Sequence, residues 1–205
     1  ARDRQIEVID LKEFQKKDPI PLELTPSGIL VDPQEHFLYV SVFDAFRAPW
    51  LQEGVAKLLR IDLGTKTVNG EVPIPPGDPV MVIDPETRLL SLTSGGGIIG
   101  KQYYFSYFPI DLDDFRLLRS SLTLPAIVVD LKVSPEGGEL LVLAKSNRLL
   151  RAVPGTASDS EPGRLKVIPI KAQIELGADP QGLAISEVHN RVFVARGGHG
   201  GVFVF

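Results

Sequence analysis

Gly182-Leu-Ala-Ile-Ser-Glu-Val-His-Asn-Arg-Val-Phe-Val-Ala195 reads as an apolar strand, a polar turn and a second apolar strand. Strand side chains alternate between faces, and β-branched residues fit a pleated, half-buried surface, so the pattern favours a hairpin over a helix. A near-copy stands at Gly28-Ile-Leu-Val-Asp-Pro-Gln-Glu-His-Phe-Leu-Tyr-Val-Ser41, with two looser copies between. The first strands end at Val31-Asp32-Pro33, Ile83-Asp84-Pro85, Val133-Ser134-Pro135 and Ile185-Ser186-Glu187, in steps of 52, 50 and 52 residues. A proline-bearing entry precedes each: Thr25-Pro26-Ser27, Asp78-Pro79, Leu124-Pro125 and Asp179-Pro180. Regular spacing of this kind marks a repeat architecture.

The first three repeats continue with a third and a fourth strand, at 57–62 and 67–74, 103–110 and 116–124, and 148–153 and 165–170. The spacing also admits short helices at Leu11 to Lys17 and at Trp50 to Leu59. The expected plan is one all-β domain over 1–205. It comprises outer strands at 1–25, four-stranded antiparallel repeats at 26–78, 79–125 and 126–178, and a partial repeat at 179–205. Arg4-Gln-Ile-Glu-Val-Ile-Asp10 looks like the third strand Leu58-Leu-Arg-Ile-Asp62, so third strands outnumber first strands.

Four antiparallel strands in about 50 residues, repeated, are expected of a β-propeller blade. The pattern Pro26/Gly28/Asp32-Pro33/Leu38-Tyr39-Val40, with Pro180/Gly182/Val192-Phe193-Val194, resembles the YVTN and NHL-like propeller repeats. The resemblance implies a fold, not an activity. It leaves two arrangements open: a ring of four blades, or a section of a ring of six to eight.

Composition narrows the function. A formal charge of −4 argues against a general nucleic-acid binder. Without cysteine there is no thiolate metal site or cysteine nucleophile. No apolar run reaches the roughly 18 residues of a membrane span. The chain begins at Ala1, with its single methionine at position 81, as expected of a processed or excised chain. An extracytoplasmic setting (periplasmic, cell-surface or secreted) is the expected localisation.

In the propeller plan, second-to-third-strand loops share a face with the entries into the next blade. That face carries Arg47, Trp50, Lys101, Lys145, Asn147, Arg148, Arg196 and His199, whereas Glu35, Glu86, Glu136, Glu139 and Glu187 fall on the other. Basic side chains around one mouth favour an anionic ligand or an acidic protein partner, and an aromatic beside an arginine suits an interaction hot spot. Loop polarity alone and a Trp50 buried in its own blade are the plainer expectations for the same residues. The reading is therefore a non-catalytic binding propeller that needs no cofactor. Its alternatives are a structural module of a larger assembly and a metal-dependent lactonase or hydrolase. The lactonase likeness implies carboxylates and an asparagine around the channel, for which Asp44, Asp78, Asn147 and Asp179 are the candidates.

Other motifs carry less. Gly95-Gly-Gly97-Ile-Ile-Gly100 matches G-x-G-x-x-G, and with Lys101 approaches a phosphate loop. Both motifs need a helix after the glycines, and Gln102-Tyr-Tyr-Phe-Ser-Tyr-Phe108 is strand-like. His36 and His189 are echoes of one turn, and His199 stands among glycines, so no histidine metal site is expected. Asp111-Leu-Asp113-Asp114 lacks the glycine and terminal glutamate of a calcium loop and reads as a solvated turn. No G-x-S-x-G is present for serine hydrolysis.

Overall fold

Pairing between strands adjacent in sequence, or a single strand apart, builds each of the described sheets. The computed structural model describes residues 4–32, 34, 36–44, 56–75, 79–99, 102–118, 122–124, 127–135, 137–153, 170–176, 179–197 and 202–204. These residues are all-β, with no helix long and apolar enough to cross a membrane. They belong to two compact units, Ala1–Pro79 and Val80–Phe205.

In the first unit β1 (Gln5–Asp10) and β2 (Gln15–Pro21) form a two-stranded antiparallel ribbon. A four-stranded sheet follows, with β3 (Thr25–Val31), β4 (Phe37–Phe43), β5 (Ala56–Asp62) and β6 (Thr67–Ile74) in sequential order. Period-2 alternation puts Leu38, Val40 and Val42 of β4 beside Leu59 and Ile61 of β5. They pack with Ile20 and Leu22, and Ile6, Val8 and Leu24 close the cluster. Burial of each such side chain is worth roughly 1.5–3 kcal/mol, so the ribbon is held on that face by the hydrophobic effect.

In the second unit β7 (Val80–Asp84), β8 (Leu89–Ile99) and β9 (Gln102–Asp111) are joined by a fourth strand in two pieces. These are β10 (Arg116–Leu117) and β11 (Leu122–Leu124), both paired to β9. Next come β12 (Val128–Val133), β13 (Leu140–Ala144), β14 (Arg148–Ala152) and β15 (Ile170–Glu175), again in order. The last sheet is β16 (Pro180–Ser186), β17 (Arg191–Arg196) and β18 (Val202–Val204).

Every residue of β13 is buried, which explains its unbroken Leu-Leu-Val-Leu-Ala run. Leu140, Val142 and Ala144 join a core with Tyr107 and Leu124 of the preceding sheet, while Leu141 and Leu143 join one with Leu183 and Val194 of the following sheet. A sheet covered on both faces has no polar side to show.

One turn recurs in both units. Ile9-Asp10-Leu11, Ile61-Asp62-Leu63 and Ile110-Asp111-Leu112 each lead from a strand into a turn, with the aspartates 52 and 49 residues apart. Asp10 Oδ1 accepts the N–H groups of Lys12 and Glu13, both at 2.9 Å, and Asp111 Oδ1 those of Asp113 and Asp114 at 2.9 and 3.2 Å. Asp62 Oδ1 takes the Thr65 N–H at 2.8 Å, and this bond holds its carboxyl below the usual aspartate range. The carboxylate satisfies turn donors that no strand can, and it leaves the fourth turn residue left-handed: Phe14 at φ 51°, Lys66 at 58° and Phe115 at 47°.

The structure differs from the sequence reading in four places. Leu11 to Lys17 is a turn and the start of β2, not a helix, because the Asp10 carboxylate closes the chain back on itself. Residues 56–59 belong to β5 rather than to a helix, while 50–55 lie outside the described residues. The fourth strand of the third repeat runs over Ile170–Glu175, past the expected end at 170, while 165–169 lie outside the described residues. The glycine-rich stretch, expected to lie in the loop between the second and third strands with Lys101, is strand as far as Ile99. β8 continues to Ile99, and Gly96 and Gly97 pair with Phe105 and Tyr104. The helix that a phosphate loop requires is therefore replaced by β9.

Candidate functional site

The site candidates fall unevenly on the described residues. Arg47, Trp50, Lys101 and His199 lie outside them, as does Asp78. Lys145, Asn147, Arg148 and Arg196 are described, all in the second unit. Asp44 is in the first unit, just after β4.

The turn 145–147 joins β13 to β14, and its geometry is set by Asn147 in the left-handed region at φ 61°. Asparagine tolerates that conformation better than most residues. The Asn147 N–H returns to the Ala144 carbonyl at 3.1 Å, and its own carbonyl accepts the Leu176 N–H at 2.7 Å. The side chain reaches the next entry segment, where Oδ1 accepts the Asp179 N–H at 3.1 Å. Asp179 is itself left-handed at φ 49°, and its carbonyl accepts the Gly197 N–H at 2.8 Å. Asn147, Asp179 and Gly197 thus tie the end of one sheet to the start and the second strand of the next.

Two side-chain ends crowd Gly197. A Cβ there would stand 2.3 Å from Asp179 Oδ2 and 2.9 Å from Gln181 Nε2, so the Asp179 carboxylate occupies the volume of the missing side chain. Arg196, the preceding residue, pairs with Pro180 across β16 and β17.

Arg148 is held by neutral groups and Lys145 is exposed. Arg148 Nε donates to Ser146 Oγ at 3.2 Å and Nη1 to Gln173 Oε1 at 3.5 Å, which orients the guanidinium without cancelling its charge. Lys145 is exposed, its N–H bound to the Ile127 carbonyl at 2.9 Å. Acidic residues elsewhere meet cations directly. Glu139 accepts from Arg151 Nε and Lys171 Nζ, and Asp113 faces Arg88 at 3.4 Å. The Lys171 and Arg151 bonds hold the Glu139 carboxyl below the usual glutamate range.

Of the residues considered for a metal, Asn147 and Asp179 do adjoin, but the Asn147 oxygen is engaged by the backbone. Among the described residues no three His, Asp or Glu side chains converge. His189 Nδ1 lies 2.9 Å from Ser186 Oγ, within its own turn.

Gly197 was not among the sequence candidates, although glycine directly after a strand is a visible signal of close approach. A cleft of about 310 Å³ in the first unit was equally silent. Leu22, Leu24, Val42 and Leu59 line it, and Lys57 meets Glu71 at 2.8 Å on its wall.

No family model matches the chain, and no curated protein does. Solved structures do. Hydrazine synthase of Kuenenia stuttgartiensis is similar with a TM-score of 0.75 at 14% identity, over 100% of this chain and 65% of that one. A functionally unknown protein from Desulfotomaculum acetoxidans is similar with a TM-score of 0.66 at 14% identity, over 97% of this chain. The chain spans 65% and 57% of the lengths of these two. The likeness is one of fold.

Proposed function

We propose that the chain is a section of a β-propeller that binds an acidic protein surface or an anionic ligand without catalysing a reaction on it. The propeller reading is supported by four-stranded antiparallel groups in sequential order and by the sheet β12–β15 packed on both faces. The binding reading rests on one observation, the link from Asn147 through Asp179 to Gly197. Lys145 and Arg148 lie within two residues of Asn147, so the link holds two cations on a common support. With Asp179 the carboxylate in the link, the two cations leave a predominantly positive field, which speeds and orients encounter with an oppositely charged partner. Arg47, Trp50, Lys101 and His199 are proposed as further members of the same face.

The test is titration of the chain with inorganic tripolyphosphate and, separately, with a glutamate-rich peptide, by calorimetry at low and at physiological salt. Saturable binding that weakens with salt is expected, with at least a tenfold loss, about 1.4 kcal/mol, in a Lys145→Ala, Arg148→Ala double variant. Equal binding by wild type and variant would overturn the assignment of the face.

A further inference from the structure

The chain has three asparagines, Asn69, Asn147 and Asn190, and of these Asn69 alone precedes a glycine. Glycine carries no Cβ, so its backbone nitrogen stays open to approach by the side chain of the residue before it. Asn69 lies in β6, where Gly70 stands opposite Arg60 of β5 and Val68 stands opposite Ile61. Asn69 is therefore the extra residue of a β-bulge, outside the pairing that fixes its neighbours. It is exposed.

The other two asparagines are placed differently. Both hold left-handed turn positions, Asn147 at φ 61° and Asn190 at φ 48°, and each is followed by an arginine. The Asn147 side-chain oxygen is engaged by the Asp179 N–H at 3.1 Å.

At Asn69 the partner is a cation. Arg60 Nε donates to Asn69 Oδ1 at 2.9 Å, and the Arg60 guanidinium stands 5.0 Å from the centre of the Phe37 ring, which holds it over the sheet. A charged donor on a carbonyl oxygen draws electrons from the carbon and stabilises the oxyanion formed when a nucleophile adds there. The bulge thus brings together an exposed amide, a group that polarises it and an unhindered backbone nitrogen.

We propose that Asn69 is a site of spontaneous deamidation, with the Gly70 nitrogen as nucleophile and Arg60 as the group that polarises the amide. The Gly70 nitrogen gives up its proton and bonds to Asn69 Cγ. The bond from Cγ to the side-chain nitrogen breaks, and that nitrogen takes up a proton and leaves as ammonia. Water then adds to one carbonyl of the five-membered imide and reopens it, giving aspartate or isoaspartate at position 69. Nothing is oxidised or reduced, and water is the only co-reactant. The aspartate product gives Arg60 a charged acceptor in place of a neutral one. The isoaspartate product lengthens the backbone by one atom where the bulge already interrupts the ladder.

The full chain, held at mildly alkaline pH, is sampled over time and cut with trypsin. Cleavage after Lys66 and Arg88 releases peptide 67–88, in which mass spectrometry reads the change from amide to acid. Conversion is expected there, within tenfold of the rate in urea, while the peptides bearing Asn147 and Asn190 stay intact. Gly70→Ala should slow it at least tenfold. The backbone admits alanine, since the left-handed glycines among the described residues are Gly137 and Gly138. Arg60→Met removes the donor and should slow conversion at least threefold in the folded chain but not in urea. The proposal is overturned if folded wild type converts more than tenfold slower than in urea, which would make the strand a shield. Equal folded rates for wild type and Arg60→Met would overturn the role of Arg60. If that variant has lost its thermal melt, Phe37→Leu, which frees the guanidinium from its ring, takes its place with the same readout.

Discussion

The carboxylate of Asp130, in β12, accepts the backbone N–H of Leu183, in β16, at 3.0 Å. The bond crosses from one sheet to the next, and Asp84 makes a comparable reach to the Gly138 N–H at 3.3 Å. Two faces that meet through Leu141, Leu143, Leu183 and Val194 have little directional preference of their own, since dispersion and burial are not directional. The carboxylate supplies direction. Asp130→Ala is expected to lower stability by about 1–2 kcal/mol in urea denaturation, with Asp130→Asn retaining part of it because an acceptor remains. Equal stability of wild type and alanine variant would show that packing alone sets the contact.

Glu139 provides a pH dependence. Its carboxyl is depressed by Lys171 and Arg151, so the folded state binds its proton less readily than the unfolded chain. The contribution is fully present above the ordinary glutamate value and is lost as pH falls through the depressed one. Glu139→Gln should therefore be less stable than wild type at neutral pH, and the gap should close in acid. A gap that is constant with pH would contradict this origin.

Tyr107 behaves in the opposite sense. Burial pushes its hydroxyl above the ordinary tyrosine range, opposed by the 2.9 Å bond to Ser91 Oγ. A raised value stabilises fully below the unfolded pKa and is lost as pH rises towards the folded one. Alkaline titration followed by phenolate absorbance should match in wild type and Tyr107→Phe until the chain unfolds. The same variant should lose about 1 kcal/mol at neutral pH, because Ser91 Oγ loses its partner.

At Gly197 the expected effect is steric. Gly197→Ala brings a methyl against Asp179 Oδ2 and should cost about 1–3 kcal/mol. Asp179→Ala removes the obstacle, so the double variant should recover most of that loss. Additive losses, measured by thermal denaturation, would place the cause elsewhere.

Strand identity was legible where an apolar, β-branched run is buried along its length, as in Phe37–Phe43, because a covered strand tolerates apolar side chains on both faces. It was illegible where a strand is mostly exposed. Ile170-Lys-Ala-Gln-Ile-Glu175 carries little apolar contrast, and the richer run Leu165 to Ile170 drew the expected strand upstream. Glycine hides a strand for a different reason. Gly96 and Gly97 pair through the backbone alone and leave no side-chain period to read. The candidate cations were legible as loop residues, but not their support. The bond from Asn147 to Asp179 spans 32 residues and leaves no local pattern in the chain.

The order of the sheets has a consequence for how the protein is made. Every described strand pairs with a neighbour in sequence, or with one a single strand away, as β11 does with β9. A ribosome delivers the chain from its N-terminus, so each group has its pairing partners in hand once its own roughly 50 residues have emerged. No early strand of a described sheet waits for a late one. Short loop closures favour rapid formation of each group.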